Sequence, residues 1–280
     1  MSPLQRIRIV SLAQNVPGPV AAARLLELGA SLVKVEPPTG DPLSRHAPEW
    51  YASLSAGQQV RRIDLKDADG RAELESLLAG CDLLLTSSRP SALARLELDW
   101  PRLHGRHPHL SHVAIVGHAA PNGDAPGHDL TYLAACGLIE PPRMPPTLMA
   151  DLAGAERAVS AALALLFARE RGDGPGYAEV ALAAVAESLA APLRHGLTAP
   201  GGRLGGGWPG YNLYAAQGGW LAAAALEPHF WARLQGELGL QDASYDELAA
   251  VFGARTAEEW ARWAAERDLP LAVVETAARL

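Results

Sequence analysis

Two short stretches carry residue types that could move protons. In PGHDLTYLAACGLI (126–139) a histidine and an aspartate, His128 and Asp129, open a helix-like run. In LMADLAGA (148–155) a second aspartate, Asp151, opens the next one. The dipole at a helix N-terminus keeps an imidazole neutral, and a neutral imidazole can act as a general base. A carboxylate bordered by apolar LMA and LAGA can act as a base or as a nucleophile. Gly154 removes a side chain from the first turn of the second helix, which would let a ligand reach open N–H groups able to hold an enolate or tetrahedral oxyanion. Both aspartates are also explained as helix N-caps, and a lone histidine as a structural residue. Local pattern leaves the two readings side by side.

Other chemistry is less well supplied. His46, His104, His107, His109, His112 and His118 are scattered without the spacing of metal ligands, so no metal is expected. GDGPGY (172–177) lacks the Lys-Ser/Thr ending of a phosphate loop and reads as a turn. Ser160 and Ser188 lack the Gly-x-Ser-x-Gly elbow of a serine hydrolase. Cys81 and Cys136 sit in apolar segments and read as small buried hydrophobes rather than a disulfide.

These groups need a scaffold, and 280 residues suffice for one large domain and a smaller one. IRIVSLA, AAARLLELGA and SLVKVE read strand, helix, strand, with Gly29 ending the helix; this is a β-α-β unit with a right-handed crossover. RAELESLLAG, CDLLLTS and LSHVAIVGH continue the alternation. The expected fold class is α/β: a doubly wound parallel sheet in the large domain, with a smaller α+β C-terminal domain. The strand ends at Gln14, Glu36, Ser87 and Gly117 then face one edge, where ligands of such sheets bind. DLAGAERAVSAALALLFARERG is a long helix, and GYAEVALAAVAESLAAPLRHGL is a short strand running into a helix. The Gly/Pro-rich stretch 199–211 reads as a linker or loop, which places the domains at 1–204 and 205–280. Beyond it come a hairpin turning at Gln217-Gly218-Gly219, two helices (PHFWARLQGELG and TAEEWARWAAERD) and a short final LAVVETAARL.

Composition narrows the function classes. A net charge of −7 with no dense Lys/Arg run argues against nucleic acid as a partner. The longest apolar run, Ala158 to Ala168, is too short to span a bilayer, and the N-terminus lacks the apolar core of a signal peptide. No membrane partner is expected, and the expected location is cytoplasmic.

The order of these segments resembles the CoA-transferase family III (CaiB/BaiF) superfamily, and within it the α-methylacyl-CoA racemases. The resemblance begins with QNVPGPVAAARLLELGASLVKVEPPTGDP and runs through IDLK, SSRPSALARLEL, PGHDLTYLAACGLI and LMADLAGA. It extends into RLGGGWPGYNLYAAQGGW and ALEPHFW. It implies that His128 and Asp151 stand on opposite faces of an acyl-CoA α-carbon, one removing the α-proton and the other returning it, with Glu227 orienting or polarising His128. The thioester enolate would be held by N–H groups at the start of the Asp151 helix. Coenzyme A contacts are implied at Arg62, Ile63, Asp64 and Leu65, at Ser87, Ser88, Arg89 and Arg95, and at Gly127, Asp129, Leu130, Thr131 and Tyr132, arginine suiting the phosphates. No separate cofactor is implied, coenzyme A being part of the substrate. The partner implied is an acyl-CoA thioester, and the assembly a homodimer.

Three departures accompany the resemblance. Gln58-Gln59 stand where a Lys-Arg step is common, with Arg61 and Arg62 close enough in sequence to compensate. The stretch between Cys136 and Thr147 is shorter than usual, which would reshape the acyl pocket. The family's return segment after the small domain is absent before Leu280, so a dimer that is not fully interlocked is expected. Two rival functions remain open: a CoA transferase in which Asp151 forms an acyl-enzyme anhydride, and a shortened, non-catalytic acyl-CoA-binding homologue. Trp208, Trp220, Trp231 and Tyr211 could line an acyl site or simply pack the small domain.

Overall fold

The computed structural model describes residues 2–275. The chain divides into two compact units, Met1–Ala190 and Ala191–Leu280. In chain order the first contains β1 (Arg8–Ser11), α1 (Pro17–Glu27), β2 (Ser31–Glu36), α2 (Leu43–His46), α3 (Pro48–Ser55), β3 (Gln59–Arg62), α4 (Ala68–Ala79) and β4 (Leu83–Thr86). It continues with α5 (Pro90–Arg95), α6 (Trp100–Arg106), β5 (Ser111–Val116), α7 (Asp129–Ala135), α8 (Met149–Glu170), β6 (Tyr177–Ala181) and α9 (Leu182–Leu189).

Its six strands form one parallel sheet in the order β3-β2-β1-β4-β5-β6. This is the doubly wound order, with helices on both faces. Strand alternation sorts the core. Ile9, Leu83, Leu85, Val113 and Ile115 pack with α1, α7, α8 and α9, whereas Val10, Leu84 and Val35 pack with α4, α5 and α6. Leu83, Leu84 and Leu85 are each fully buried, as a central parallel strand covered on both faces requires. His112 on β5 is buried, and its Nε2 lies 2.9 Å from Thr86 Oγ1. Burial pushes this imidazole down to about 4, so it stays neutral and serves the sheet. The Cys81 thiol is pushed up to about 12 by burial, which makes it an inert hydrophobe.

The second unit contains α10 (Ala191–Arg194), β7 (Tyr211–Ala216), β8 (Gly219–Ala224), α11 (Pro228–Leu238), α12 (Tyr245–Phe252), α13 (Ala257–Ala265) and β9 (Leu271–Val273). Its antiparallel sheet β7-β8-β9 and three longer helices enclose a separate core of Tyr214, Leu221, Leu234, Leu248, Phe252 and Trp260. The hairpin turns where expected, with Gly218 at φ +73°. Two features differ from the sequence reading. The glycine-rich stretch, read as a linker or loop, is the loop of that pair and falls inside the second unit rather than at its edge, tied by backbone bonds from Leu204 N to Leu197 O and from Gly207 N to Gly202 O. The helix α12 was not expected, although Ser244 and Glu247 form a capping box at its start. Trp231 packs on Trp208 in this unit, while Trp220 and Tyr211 are exposed. Residues 276–280 of the final run read from sequence lie outside the described residues. Among the described residues no helix is long and apolar enough to cross a membrane.

Candidate active site

The site is built at the ends of parallel strands. Gln14 follows β1, Ser87 follows β4 and Gly117 follows β5, and all three line one cavity of about 220 Å³. Gln14 N–H donates to Ser87 Oγ (2.8 Å), tying two strand ends together. The cavity is completed by Asn15, Pro17, Ser88, Arg89, Ile115, Tyr132 and Leu182, and by both proton-transfer candidates, His128 and Asp151.

His128 is the N-cap residue of α7, exposed and in extended backbone. Thr131 Oγ1 accepts its N–H (3.0 Å) and donates to its carbonyl (2.8 Å), which fixes the turn from which the imidazole projects. Asp151 sits in the first turn of α8. The link between the two is Asp129. Its buried carboxylate does not cap its own helix; Oδ1 accepts the N–H groups of Ala150 (2.7 Å) and Asp151 (3.0 Å). One side chain on α7 thus caps α8, with His128 next to it in sequence and Asp151 bonded to it.

This arrangement corrects two expectations. The Ala150 and Asp151 N–H groups are not open to an enolate oxygen, because Asp129 occupies them. Nor does Gly154 open the helix to ligand: a Cβ there would lie 2.3 Å from Leu182 Cδ2, so the glycine lets α9 pack against α8. Donor side chains lining the cavity include Gln14, Asn15 and Arg89, with the Ser88 and Tyr132 hydroxyls.

Electrostatics single out Asp151. Burial, and then the nearby Asp129 charge, lift its carboxyl to about 6. The Tyr132 hydroxyl is raised by burial and then by Asp151. Tyr132 itself crosses close above Gly127, where a Cβ would meet its ring at 2.4 Å.

The other expected residues divide between places. Ile63, Asp64 and Leu65 line a second cavity of about 200 Å³ with Leu12, Val35 and Leu93, and this cavity shares Gln14 and Ser88 with the first. Arg62 borders an open groove with Ile63 and Asp64. Arg95 ends α5, and Leu130 is exposed; neither lines the two cavities, nor does Thr131, whose hydroxyl is engaged with His128. Glu227 belongs to the second unit, as the N-cap residue of α11. Gln58 bonds Leu54 O, and Arg61 pairs with Glu73 at the surface (2.9 Å). Among the described residues no group of three His, Cys, Asp or Glu is placed to hold a metal ion. Gln14 and Asn15 were not expected as site residues; the strand-end position of Gln14 was the available signal.

Comparison with known proteins identifies the family. The model of CoA-transferase family III matches residues 4–280. The chain is 30% identical to the alpha-methylacyl-CoA racemase of Homo sapiens over 92% of its own length and 74% of the relative's. It is 26% identical to the cinnamoyl-CoA:phenyllactate CoA-transferase of Clostridium sporogenes, over 96% of this chain and 77% of that protein. A third relative, the succinyl-CoA:(R)-benzylsuccinate CoA-transferase subunit BbsE of Thauera aromatica, is 33% identical over 60% of this chain and only 46% of its own length. The crystal structure of Rv3272 from Mycobacterium tuberculosis in its orthorhombic form superposes with a TM-score of 0.84 at 26% identity, covering 100% of this chain and 84% of that one. The sheet, the site at its strand ends and these matches lead to one conclusion: the chain belongs to CoA-transferase family III.

Proposed function

We propose that the protein inverts the α-carbon of a 2-methylacyl-CoA by two-base proton transfer. The observation that carries this reading is that His128 and Asp151 line one cavity from the starts of two helices joined by Asp129. The base takes the α-proton, and the C–H electron pair moves through the α-carbon to the thioester oxygen as an enolate. The second group then delivers its proton to the opposite face, and the pair returns to the carbon. A carboxyl lifted to about 6 is well placed to exchange protons near neutral pH. Gln14, Asn15 and Arg89 are the donors proposed for the enolate and the phosphates. The second cavity is proposed to take part of coenzyme A, and Glu227 to orient His128. A homodimer is proposed as the working assembly.

A transferase reading is supported by the same aspartate and by relatives such as the phenyllactate transferase. In it the Asp151 carboxylate attacks the thioester carbonyl, the C–S bond breaks, and coenzyme A leaves as the thiolate from a mixed anhydride. The two reactions differ in their need for a second carboxylic acid. The deciding measurement is deuterium incorporation at C2 of 2-methylacyl-CoA in deuterium oxide without added acid. Exchange that is lost in Asp151→Asn and His128→Ala is the expected result. No exchange, with CoA transfer on adding an acceptor acid, would replace this reading with the transferase one.

A further inference from the structure

A second group of buried charges in the first unit, apart from Asp129, lies near the cavity and takes no part in the proposed proton transfer. Lys34 of β2, with Glu36 and Asp41, is at most 2% exposed. Lys34 Nζ donates to Asp41 Oδ2 (2.7 Å) and to the carbonyl of Ala13 (3.2 Å), and lies 3.7 Å from Glu36 Oε1. Asp41 Oδ1 accepts the N–H of Asn15 (3.0 Å) and of Leu43 (2.9 Å). Glu36 closes the cluster by accepting Asp41 N–H (3.3 Å) and the Tyr51 hydroxyl (2.5 Å).

Every side-chain bond from Lys34 and Asp41 toward the end of β1 lands on one corner of backbone. The Ala13 carbonyl is held by Lys34, the Gln14 N–H by Ser87 and the Asn15 N–H by Asp41. Asn15 sits there at φ +66°, a left-handed conformation that asparagine tolerates better than most L-residues, with its N–H held by Asp41. Gln14, in the middle, lines both cavities. A buried ion pair is a poor source of net stability, since apolar residues of similar volume hold a core as well. What apolar residues could not supply is the donor and the acceptor that fix this corner.

We propose that the buried Lys34–Asp41 pair is a positioning device that fixes the Ala13–Asn15 corner, and so the presentation of Gln14 to a ligand crossing from one cavity to the other. The ligand part rests on the acyl-CoA reading above. The pair touches no ligand and acts through Gln14 and Asn15. Gln14 is proposed above as a donor to the enolate and also lines the cavity the resting ligand enters, so losing its placement should raise KM and lower kcat together.

The test uses the full chain carrying Lys34→Met with Asp41→Asn, which removes both charges while leaving an amide oxygen to accept the Asn15 N–H. Three readouts are compared with the parent: thermal melting, amide resonances of Gln14 and Asn15 in the free protein, and affinity for coenzyme A by calorimetry. The expected result is a cooperative melt, shifted or broadened Gln14 and Asn15 resonances, and coenzyme A binding weakened by roughly tenfold, with KM for acyl-CoA moving alongside. A folded variant with parental amide shifts and coenzyme A affinity within about twofold overturns the proposal. If the parent binds no coenzyme A, the acyl-CoA reading fails, and the amide resonances still decide whether the pair sets the corner. If the double variant does not fold, amide exchange in the parent decides: an Asn15 N–H as protected as the β1 amides supports the device, and fast exchange overturns it.

Discussion

The Asp129 carboxylate reaches past its own helix to the first turn of the next, and this single contact does two things to Asp151. It bonds the Asp151 N–H, fixing where that residue begins, and it adds negative charge beside a partly buried carboxyl. The two effects are separable. Asp129→Asn keeps an oxygen for the Ala150 and Asp151 N–H groups and removes the charge. The expected outcome is a folded protein whose Asp151 titrates below the present value of about 6, so that the acid limb of its pH–rate profile moves to lower pH. Carboxyl-carbon NMR of labelled aspartate checks this without any assay. Asp129→Ala removes the one oxygen that accepts both bonds and orphans the Ala150 and Asp151 N–H groups, at a cost of about 1–3 kcal/mol each. Asp151 also has a stability signature. A carboxyl whose folded-state pKa is raised contributes stability fully below its unfolded value of 3.8, and loses it as pH rises through about 6. Asp151→Asn should therefore melt higher than the parent at pH 8 and no higher at pH 4, as followed by circular dichroism. The sequence shows both aspartates as helix-start residues. It does not show that one caps the other's helix, because that bond joins residues 22 positions apart and exists only once α7 and α8 pack.

At the scale of elements, the meeting of α8 and α9 shapes the cavity wall. Gly154 lets Leu182 approach so closely that a methyl group would collide with its Cδ2, and Leu182 lines the cavity. Gly154→Ala adds roughly 1 kcal/mol of helix propensity and sets against it about 1–3 kcal/mol of overpacking. The terminal carbon of a leucine can swing aside, so the strain is expected to push Leu182 into the cavity. The predicted result is a melting temperature within a few degrees of the parent and a clear loss of acyl-CoA affinity. Gly154→Ala combined with Leu182→Val should regain that affinity; a parental affinity in the single variant would show that Leu182 moves elsewhere. Sequence reading treated this glycine as an opening for ligand, since a small residue in a first turn looks the same whether a ligand or a neighbouring helix needs the room. The strand–helix alternation was legible for a simpler reason where a strand is covered by helices on both faces: its burial is written as a continuous apolar run, as in Leu83-Leu84-Leu85, whereas the exposed edge strand β3 carries no such run. Lys34 was not legible as a buried residue, because its partner Asp41 lies beyond a turn. Helix α12 was masked by its short length, though the Ser244–Glu247 spacing marked its start.

For the molecule as a whole, two separate cores imply two melting events. The first unit holds its clusters on the two faces of the parallel sheet, and the second holds Tyr214, Leu221, Phe252 and Trp260 in a core of its own. A single two-state transition is therefore not expected, and calorimetry should resolve the units. Every residue lining the two cavities lies between Leu12 and Leu182, within the first unit. Coenzyme A at a hundredfold its Kd should then stabilise that unit by about 2.7 kcal/mol. For a unit of this size the gain corresponds to a rise of roughly 5–10 °C in one transition, leaving the other in place. Phe252→Ala provides the converse. Truncating this buried ring should cost about 3–5 kcal/mol and lower the second unit's transition alone. The coenzyme A-dependent shift should persist in that variant. A shift confined to the other transition, or abolished by Phe252→Ala, would move the binding site out of the strand-end cavities and with it the roles proposed for His128 and Asp151.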